Sequence, residues 1–455
     1  MHFVHCSKQK LGFLCSIVNI VNKKGKYMAD LTSIINQHKY EKELFLSREY
    51  VPRTGLENFK KMINTDLVKV ITGPRRSGKS VFAFLSLKNV NFGYVNFDDD
   101  QLINIKSDEL LKSIFEVYGE VKILFFDEIQ NYPNWELFIN KLHRRGYNII
   151  LTGSNSNLLG RELSTSLTGR YLNYQILPFN FMEILKAKNF DYNNLNIEIP
   201  EIKGKVLNLL SDYLRFGGYP EIITKDIEYK DYLETLVEAI LFKDIVKRYN
   251  IRSPQSLYNL FLNILNSYGK EISFQSLMRS SNMNSVRSVQ KYVSYLEESY
   301  LIKLLNRFSF KVKEQIKAPK KVYAFDNGII SSKSFRFIEN YGRALENLVF
   351  IELVKSGLKP NENIYYYKSK NQREIDFVIK DGLKVIKLIQ VVYDISNEDV
   401  FNREIKSLLD GAKEINCNEL IVITWDEESK EKINGHEINI IPLWKFLFNL
   451  YKGVS

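Results

Sequence analysis

Eight consecutive residues carry the strongest chemical signal in the chain. They match the pattern G-x-x-x-x-G-K-[ST] at every fixed position, and they are Gly73, Pro74, Arg75, Arg76, Ser77, Gly78, Lys79 and Ser80. In such a loop, backbone N–H groups surround the phosphates of a nucleotide. We therefore predict that the run binds ATP, that Lys79 reaches the β- and γ-phosphates, and that Ser80 is a Mg²⁺ ligand.

The flanking sequence predicts the elements that this loop needs. An apolar run at 67–71 indicates a strand, and 80–85 reads as the start of a buried helix. The loop then lies at a helix N-terminus, where the helix dipole favours the negative charge of a phosphate. The alternative, a chance match in a turn, is disfavoured by this context.

A second candidate motif ends the apolar run 121–126 with two carboxylates, Asp127 and Glu128. A run of this length is typical of a strand buried on both faces of a parallel sheet. We predict that Asp127 binds the Mg²⁺ shell and that Glu128 is the general base for water. A solvated Asp-Glu turn is the alternative, and the loop upstream argues against it.

Two further polar positions are candidates for sensing and stabilising charge. A strand is predicted at 148–152, and Asn155, which follows it, is our first candidate for sensing the γ-phosphate. Ser154 is the second candidate. The alternative is an ordinary Ser/Asn-rich turn. Arg170, just before a predicted strand, is the candidate arginine finger, and Arg161 is its rival. Together these assign Glu128, Asn155 and Arg170 to catalysis.

Strand and helix patterns alternate along this part of the chain, which predicts an α/β domain with a parallel sheet. Its five strands are predicted at 68–72, 94–97, 121–126, 148–152 and 171–177. Arg48 or Arg53, in the helical lead-in before the first strand, can also contact the nucleotide.

Composition excludes several other classes of protein. The 455 residues are 45% hydrophobic and 26% charged, and three scattered cysteines favour neither a disulfide framework nor a zinc site. The few cysteines suit a reducing cytoplasm, where we expect the protein to be. No apolar run reaches the ~18 residues that span a membrane, so we expect no membrane partner. We expect residues 1–27, which precede a start-like Met28, to be a non-native or disordered extension.

The net charge of +11 is localised rather than spread evenly. Residues 1–27 contribute +5 and residues 251–330 contribute +7, so the remainder is close to neutral. Localised basic charge is typical of a nucleic-acid contact, although a merely solvated basic surface is the alternative.

The ordered set of motifs resembles one family. The sequences GPRRSGKS, LFFDEIQ, LTGSNS, SLTGR and, later, RFGGYP together resemble archaeal and bacterial AAA-like P-loop ATPases with a C-terminal domain of unknown function. The resemblance implies an ASCE-type P-loop fold, then helices, a winged helix, and a C-terminal domain similar to restriction endonucleases. The corresponding domains are predicted at 28–190, 191–260, 261–330 and 331–455.

The residues themselves support a winged helix in the third of these domains. A helix begins at Ser273, a second at 285–300 has an apolar face, and a hairpin is predicted over 301–305, 307–313 and 320–325. The polar face of the second helix carries Arg287 and Lys291, which suit contacts to phosphates and base edges. We predict duplex DNA binding through 270–325, with protein contacts as the alternative.

The last domain has the order of a PD-(D/E)XK nuclease core but lacks part of its chemistry. Glu346 lies on an apolar helix, and Glu374 and Asp376 lie on one of two paired strands. The E-x-K positions hold Gln390, Val391 and Val392, so a ligand and the lysine are missing. We expect a degenerate domain with at most a weak metal site.

The sequence therefore predicts a Mg²⁺-dependent ATPase whose nucleotide state controls a winged-helix and nuclease-like module. One alternative is a STAND-like switch that binds a protein partner with little turnover. The other is an ATP-gated nuclease. The sequence leaves the oligomeric state open.

Overall fold

The structure is a computed structural model, and it describes residues 30–154, 167, 169–190, 197–333 and 340–452. The prediction for residues 1–27 lies outside the described residues. Within the described ranges, no helix is both long and apolar enough to cross a lipid bilayer.

The first third of the chain is a layered α/β domain. Its strands are β1 (Val68–Thr72), β2 (Phe92–Asn96), β3 (Ile123–Asp127), β4 (Asn148–Gly153) and β5 (Tyr171–Gln175). Its helices are α1 (Leu31–Ser47), α2 (Leu56–Ile63), α3 (Lys79–Ser86), α4 (Ser107–Tyr118) and α5 (Trp135–Arg144), with short 3₁₀ turns at Asp100–Leu102 and Ile129–Asn131.

The five strands form one sheet in the order β2-β3-β4-β1-β5, and every pair is parallel. Strand β4 is inserted between β1, which leads into the phosphate loop, and β3, which ends in Asp127. β1 and β3 are almost wholly buried because helices cover both faces of the sheet. This confirms the predicted parallel sheet, with β2 beginning two residues earlier and β5 ending two residues earlier than expected.

A helical region follows the sheet. It comprises α6 (Phe181–Ala187), α7 (Pro200–Phe216), α8 (Pro220–Thr224), α9 (Tyr229–Ala239), a π-helix at Ile240–Lys247, and α10 (Pro254–Leu265). Gly217, between α7 and α8, has φ 76°, and a Cβ there would lie 1.7 Å from Asp326 Oδ1. The turn at 216–220, within the RFGGYP motif, is therefore tight and packs against Asp326.

A small three-stranded antiparallel sheet comes next, in the order β6-β8-β7. Its elements are β6 (Glu271–Ile272), α11 (Phe274–Ser280), α12 (Val286–Glu298), β7 (Ile302–Asn306), α13 (Val312–Lys317) and β8 (Lys320–Ala324). The side chains of Ser273 and Ser285 cap α11 and α12. The expected hairpin segment at 307–313 is wrong, because a short helix begins at Val312. The winged-helix interpretation stays a prediction.

The C-terminal part is a mixed six-stranded sheet in the order β13-β14-β12-β11-β10-β9. Its strands are β9 (Ile364–Lys368), β10 (Glu374–Asp381), β11 (Lys384–Val391), β12 (Leu420–Thr424), β13 (Ser429–Ile433) and β14 (His436–Pro442). The accompanying helices are α14 (Asn327–Lys333), α15 (Tyr341–Lys355), α16 (Glu398–Ile415) and α17 (Leu443–Leu450). The predicted pairing of β10 with β11 is antiparallel.

One apolar core extends from the helical region through the small sheet to one face of the C-terminal sheet, and a second core covers the other face of that sheet. The first core includes Leu177 beyond β5, Val237 in α9, Leu296 in α12 and Tyr451 near the C-terminus. A continuous, close-packed core of this kind transmits a displacement of one part to its neighbours. The helical region, the small sheet and the C-terminal sheet are therefore packed as neighbours around shared apolar side chains.

Candidate nucleotide site

The phosphate loop follows β1 at the carboxyl edge of the parallel sheet. A Cβ atom on Gly73 would lie 1.9 Å from the carbonyl oxygen of Ile176, so only glycine lets the loop leave the strand here. Gly78 caps α3 with φ 92°, a left-handed conformation that glycine adopts without strain. The geometry of the backbone therefore explains why both fixed positions of the pattern are glycine.

The polar groups of the loop converge inside it. Lys79 is 5% exposed, and its Nζ donates to the Pro74 carbonyl oxygen over 3.1 Å. The side chain of Ser77 is fully buried, and its hydroxyl has no hydrogen-bond partner among the described residues. A cradle that holds a buried ammonium and an unsatisfied hydroxyl fits a phosphate group.

Ser80 and Asp127 meet as the predicted metal pair. The Ser80 hydroxyl donates to Asp127 Oδ1 over 2.9 Å, although the two residues are 47 positions apart. A hydroxyl beside a carboxylate is the oxygen donor set that Mg²⁺ uses in P-loop proteins. These two residues would hold the ion, which fits the site.

Thr152, at the end of β4, joins the two acidic residues and was not singled out from the sequence. Its hydroxyl donates to Asp127 Oδ1 and accepts from the backbone N–H of Glu128 over 3.0 Å. Its position in the sheet could have identified it, because β4 lies beside and parallel to β3 and the carboxyl ends of the two strands meet. Thr152 thus orients the Asp127 carboxylate and anchors the backbone at Glu128.

Glu128 has an unusual backbone for a non-glycine residue, with φ 50°. Strained residues of this kind cluster at functional sites, where the surrounding structure holds them in place. Its carboxylate accepts a hydrogen bond from Gln130 and lies 3.7 Å from Lys79 Nζ. The strand end thus directs Glu128 toward the phosphate loop.

Burial changes the acidity of the Asp127 carboxyl, the predicted Mg²⁺ ligand. Desolvation, together with the neighbouring charge of Glu128, raises the pKa of Asp127 to about 6, against the opposing effects of Thr152, Ser80 and Lys79. A carboxyl of this kind ionises fully only near neutral pH. A divalent cation favours the ionised form, so metal binding and proton release are coupled at Asp127.

Arg53 supports the loop rather than reaching into it. Its guanidinium donates to Glu183 over 2.9 Å, to the Ser77 carbonyl oxygen over 2.8 Å, and to the Leu177 carbonyl oxygen over 2.6 Å. All of these contacts are buried. Protein acceptors therefore bind the guanidinium, which favours a structural role for Arg53 over the predicted contact with the nucleotide.

The two arginines inside the loop pair with the helical region. Arg75 donates from Nε and Nη2 to the two oxygens of Asp244 over 3.2 Å each, and Asp244 is 7% exposed on the π-helix. The more exposed Arg76 lies 3.5 Å from Glu221 on α8. Nothing in the sequence around Asp244 indicates that this residue meets the phosphate loop.

The remaining predicted residues are only partly placed. Asn155 and Arg161 lie outside the described residues, while Ser154 is buried just beyond β4. Arg170 is exposed before β5, where its carbonyl oxygen accepts from Val68 N over 3.0 Å. Its backbone is therefore fixed at the start of the sheet, and its catalytic role stays a prediction.

The carboxylates of the C-terminal domain meet around a lysine that the sequence gave no reason to expect there. Lys321 Nζ, on β8, lies 2.7 Å from Glu346, 2.7 Å from Glu374 and 3.0 Å from Asp376, and it is 1% exposed. Among the described residues, no group of three or more acidic, histidine or cysteine side chains could hold a metal ion. The Lys321 ammonium thus occupies the position where we expected the weak metal site.

Comparison with known proteins covers most of the chain. A family model described as an AAA domain matches residues 65–185, and two models described as domains of unknown function match residues 207–337 and 341–446. The uncharacterized protein MJ1544 of Methanocaldococcus jannaschii is 39% identical over 411 residues, which cover 85% of this chain and 91% of that protein. An uncharacterized protein of Haemophilus influenzae is 28% identical over 400 residues, which cover 84% of this chain and 94% of that one.

A solved structure is similar at lower identity. The Walker-type ATPase PABY2304 of Pyrococcus abyssi is 14% identical and has a TM-score of 0.41. The match covers 63% of this chain and 98% of that one.

Proposed function

The chain belongs to the family of P-loop ATPases in which an AAA domain precedes two domains of unknown function, and from this we propose that it binds ATP with Mg²⁺ and hydrolyses it. The nucleotide state then acts on the helical region and the domains beyond it. We place this activity in the reducing cytoplasm.

We propose the following roles for the residues at this edge of the sheet. Gly73 and Gly78 give the backbone its shape around the phosphates, and Lys79 donates to the β- and γ-phosphate oxygens. Ser80 and Asp127 hold Mg²⁺, which when bound supplies a Lewis acid beside the phosphates. Glu128 takes the proton of the attacking water.

Asn155 and Arg170 complete the proposal as sensor and charge stabiliser. An arginine at a transferred phosphoryl group is worth about 10³–10⁵ in rate in P-loop enzymes. Arg170 is exposed at the start of β1 and β5, the edge of the sheet opposite to the phosphate loop, so it can serve the site of a second copy rather than its own.

One observation carries this proposal: Ser80 Oγ and Asp127 Oδ1 lie 2.9 Å apart, with Glu128 next to them and 3.7 Å from Lys79. Four groups from two separate motifs thus meet at one edge of the sheet. A chance motif would not bring the metal pair and the general base together.

Steady-state ATP hydrolysis and ATP binding, measured on wild type and Lys79→Ala, test the proposal. We expect wild type to bind and hydrolyse ATP, and Lys79→Ala to lose binding. Lys88→Ala, which removes an exposed lysine beyond α3, is the matched control and keeps both activities. ATP binding without turnover in wild type would favour the STAND-like switch, and no binding would reject the proposal.

Duplex DNA association through 270–325 is a second proposed function. It is supported by the surface of the segment between β7 and β8, which contains α13. Phe310, Val312 and Ile316 are 72%, 66% and 69% exposed, beside the exposed Lys311, Lys313 and Lys317. On α11 and α12, Arg279, Arg287 and Lys291 are also exposed. Lysines suit phosphates, and exposed apolar side chains suit insertion between bases in the minor groove.

Salt dependence tests the DNA proposal. We expect duplex DNA to stimulate ATP hydrolysis at low salt, and the stimulation to fade as salt rises, because lysine–phosphate contacts release counterions. Replacing Lys311, Lys313 and Lys317 by Gln should lower the slope of log affinity against log salt. Intact basal turnover without any stimulation would instead indicate a protein partner.

A further inference from the structure

We propose that Asp244 is the residue through which the nucleotide controls the rest of the chain, with the π-helix carrying the change from the phosphate loop to α12. The proposal rests on the proposed ATP site and concerns its regulation. The π-helix spans Ile240–Lys247 and follows α9 without a break in the helical backbone. Such segments are rare and occur frequently at functional sites.

The first step is a competition for Arg75. Its guanidinium is held by both oxygens of Asp244. Burial alone would lower the pKa of Arg75, but Asp244 and the charges of Glu128 and Asp98 raise it overall. Arg75 is part of the phosphate loop, so a γ-phosphate bound there brings further negative charge beside it. That phosphate attracts Arg75 and repels Asp244.

The second step is the release of the π-helix. Asp244 is 7% exposed, so its charge is poorly screened by water and depends on its arginine partner. When the γ-phosphate engages Arg75, the most favourable response is for Asp244 to move away from the loop. ADP lacks this phosphate, so it leaves the pair between Arg75 and Asp244 intact.

The third step connects the π-helix to α12. Tyr249 follows the π-helix by two residues, and its ring stacks on Tyr295 with centroids 3.6 Å apart and planes 8° apart. Its hydroxyl donates to Glu298 over 2.5 Å. Tyr295 and Glu298 both lie on α12, so a shift of the π-helix pulls directly on the helix that carries Arg287 and Lys291.

A second contact shows why Asp244, rather than Glu221, has this role. Glu221 on α8 reaches Arg76, but the Arg76 side chain is 61% exposed and the distance is 3.5 Å. Glu221 also binds Lys225 over 3.1 Å. An exposed pair whose acid already has another partner contributes little energy. Glu221→Gln is therefore a matched control.

Nucleotide affinities measured on the full chain test the first two steps. Because Asp244 and the γ-phosphate compete, Asp244→Asn should tighten ATP binding by roughly fivefold or more and change ADP binding less than twofold. Glu221→Gln should leave both affinities within twofold of wild type. Thermal unfolding checks that each variant is folded.

Hydrogen exchange tests the third step and does not depend on Asp244→Asn folding. In wild type, ATP should change amide exchange over 286–298 relative to ADP. Tyr249→Phe, which keeps the ring and removes the hydroxyl, should bind ATP as wild type does and lose at least half of that change.

The outcomes separate this inference from the proposed function. If wild type binds no ATP, the nucleotide site itself is rejected. If wild type binds ATP, but Asp244→Asn leaves the ratio of ATP to ADP affinity unchanged or weakens ATP, then Asp244 is only a structural brace. Equal exchange over 286–298 with ATP and ADP would reject the connection to α12.

Discussion

Lys321 Nζ and Glu346 Oε1 lie 2.7 Å apart and join the small antiparallel sheet to the C-terminal domain. Lys321 comes from β8 and Glu346 from α15. Burial raises the pKa of Glu346 to about 8, while Lys321 opposes that rise. The lysine therefore neutralises a carboxylate cluster that would be costly to bury alone.

Lys321→Met should lower the free energy of unfolding by about 3–5 kcal/mol, because it leaves buried carboxylates without their counter-charge. Urea denaturation followed by circular dichroism measures this. Lys320→Met is the control, since the Lys320 ammonium donates to the Gln315 carbonyl oxygen rather than to an acid. A similar loss in both variants would contradict a specific role for Lys321.

The same pair bears on the nuclease alternative. With an ammonium among Glu346, Glu374 and Asp376, we expect no cleavage of plasmid DNA by wild type in Mg²⁺ or Mn²⁺. Agarose gel assays at several metal concentrations check this expectation. Metal-dependent cleavage that Asp376→Asn abolishes would restore the ATP-gated nuclease.

Much of the nucleotide site follows from local sequence, and the rest depends on contacts between distant elements. The phosphate loop and the end of β3 are contiguous motifs, and strands buried on both faces leave long apolar runs that are easily recognised. Thr152 was missed because its role depends on the sheet order rather than on its neighbours in sequence. Asp244 and Lys321 were missed for the same reason: each partner is at least twenty-five positions away.

Glu128→Gln should bind ATP with nearly the affinity of wild type but hydrolyse it about 10²–10⁴-fold more slowly, because the amide cannot accept the proton of water. Single-turnover hydrolysis and equilibrium binding measure the two effects separately. Glu136→Gln, which changes an acid in the first turn of α5, is the control and should keep full turnover. Wild-type turnover in Glu128→Gln would show that another group is the base.

Gly73→Ala should abolish nucleotide binding or unfold the parallel-sheet domain, because its methyl group would lie 1.9 Å from the Ile176 carbonyl oxygen. ATP binding and thermal unfolding distinguish these two results. Gly204→Ala, within α7, meets no atom within 4 Å and should be neutral or slightly stabilising. A Gly73→Ala variant that binds ATP normally would contradict the close approach of the loop to Ile176.

The pKa of Asp127 predicts how magnesium binding depends on pH. Because the pKa is raised from 3.8 to about 6, the carboxyl stabilises the fold below about pH 4, and this contribution is lost as the pH rises through 6. Magnesium binding has the opposite dependence, since only the ionised form is a ligand.

The affinity for Mg²⁺ should therefore be about tenfold weaker at pH 5 than at pH 7, because the ionised fraction of a carboxyl with a pKa of about 6 differs about tenfold between these pH values. Titrations of Mg²⁺ into wild type with a non-hydrolysable ATP analogue measure this without turnover and keep the Glu128 charge that helps to raise the pKa of Asp127. The same titrations on Asp127→Asn report the part that comes from protonation of the nucleotide itself. An equal pH dependence with and without the Asp127 carboxyl would show that this residue does not hold the ion.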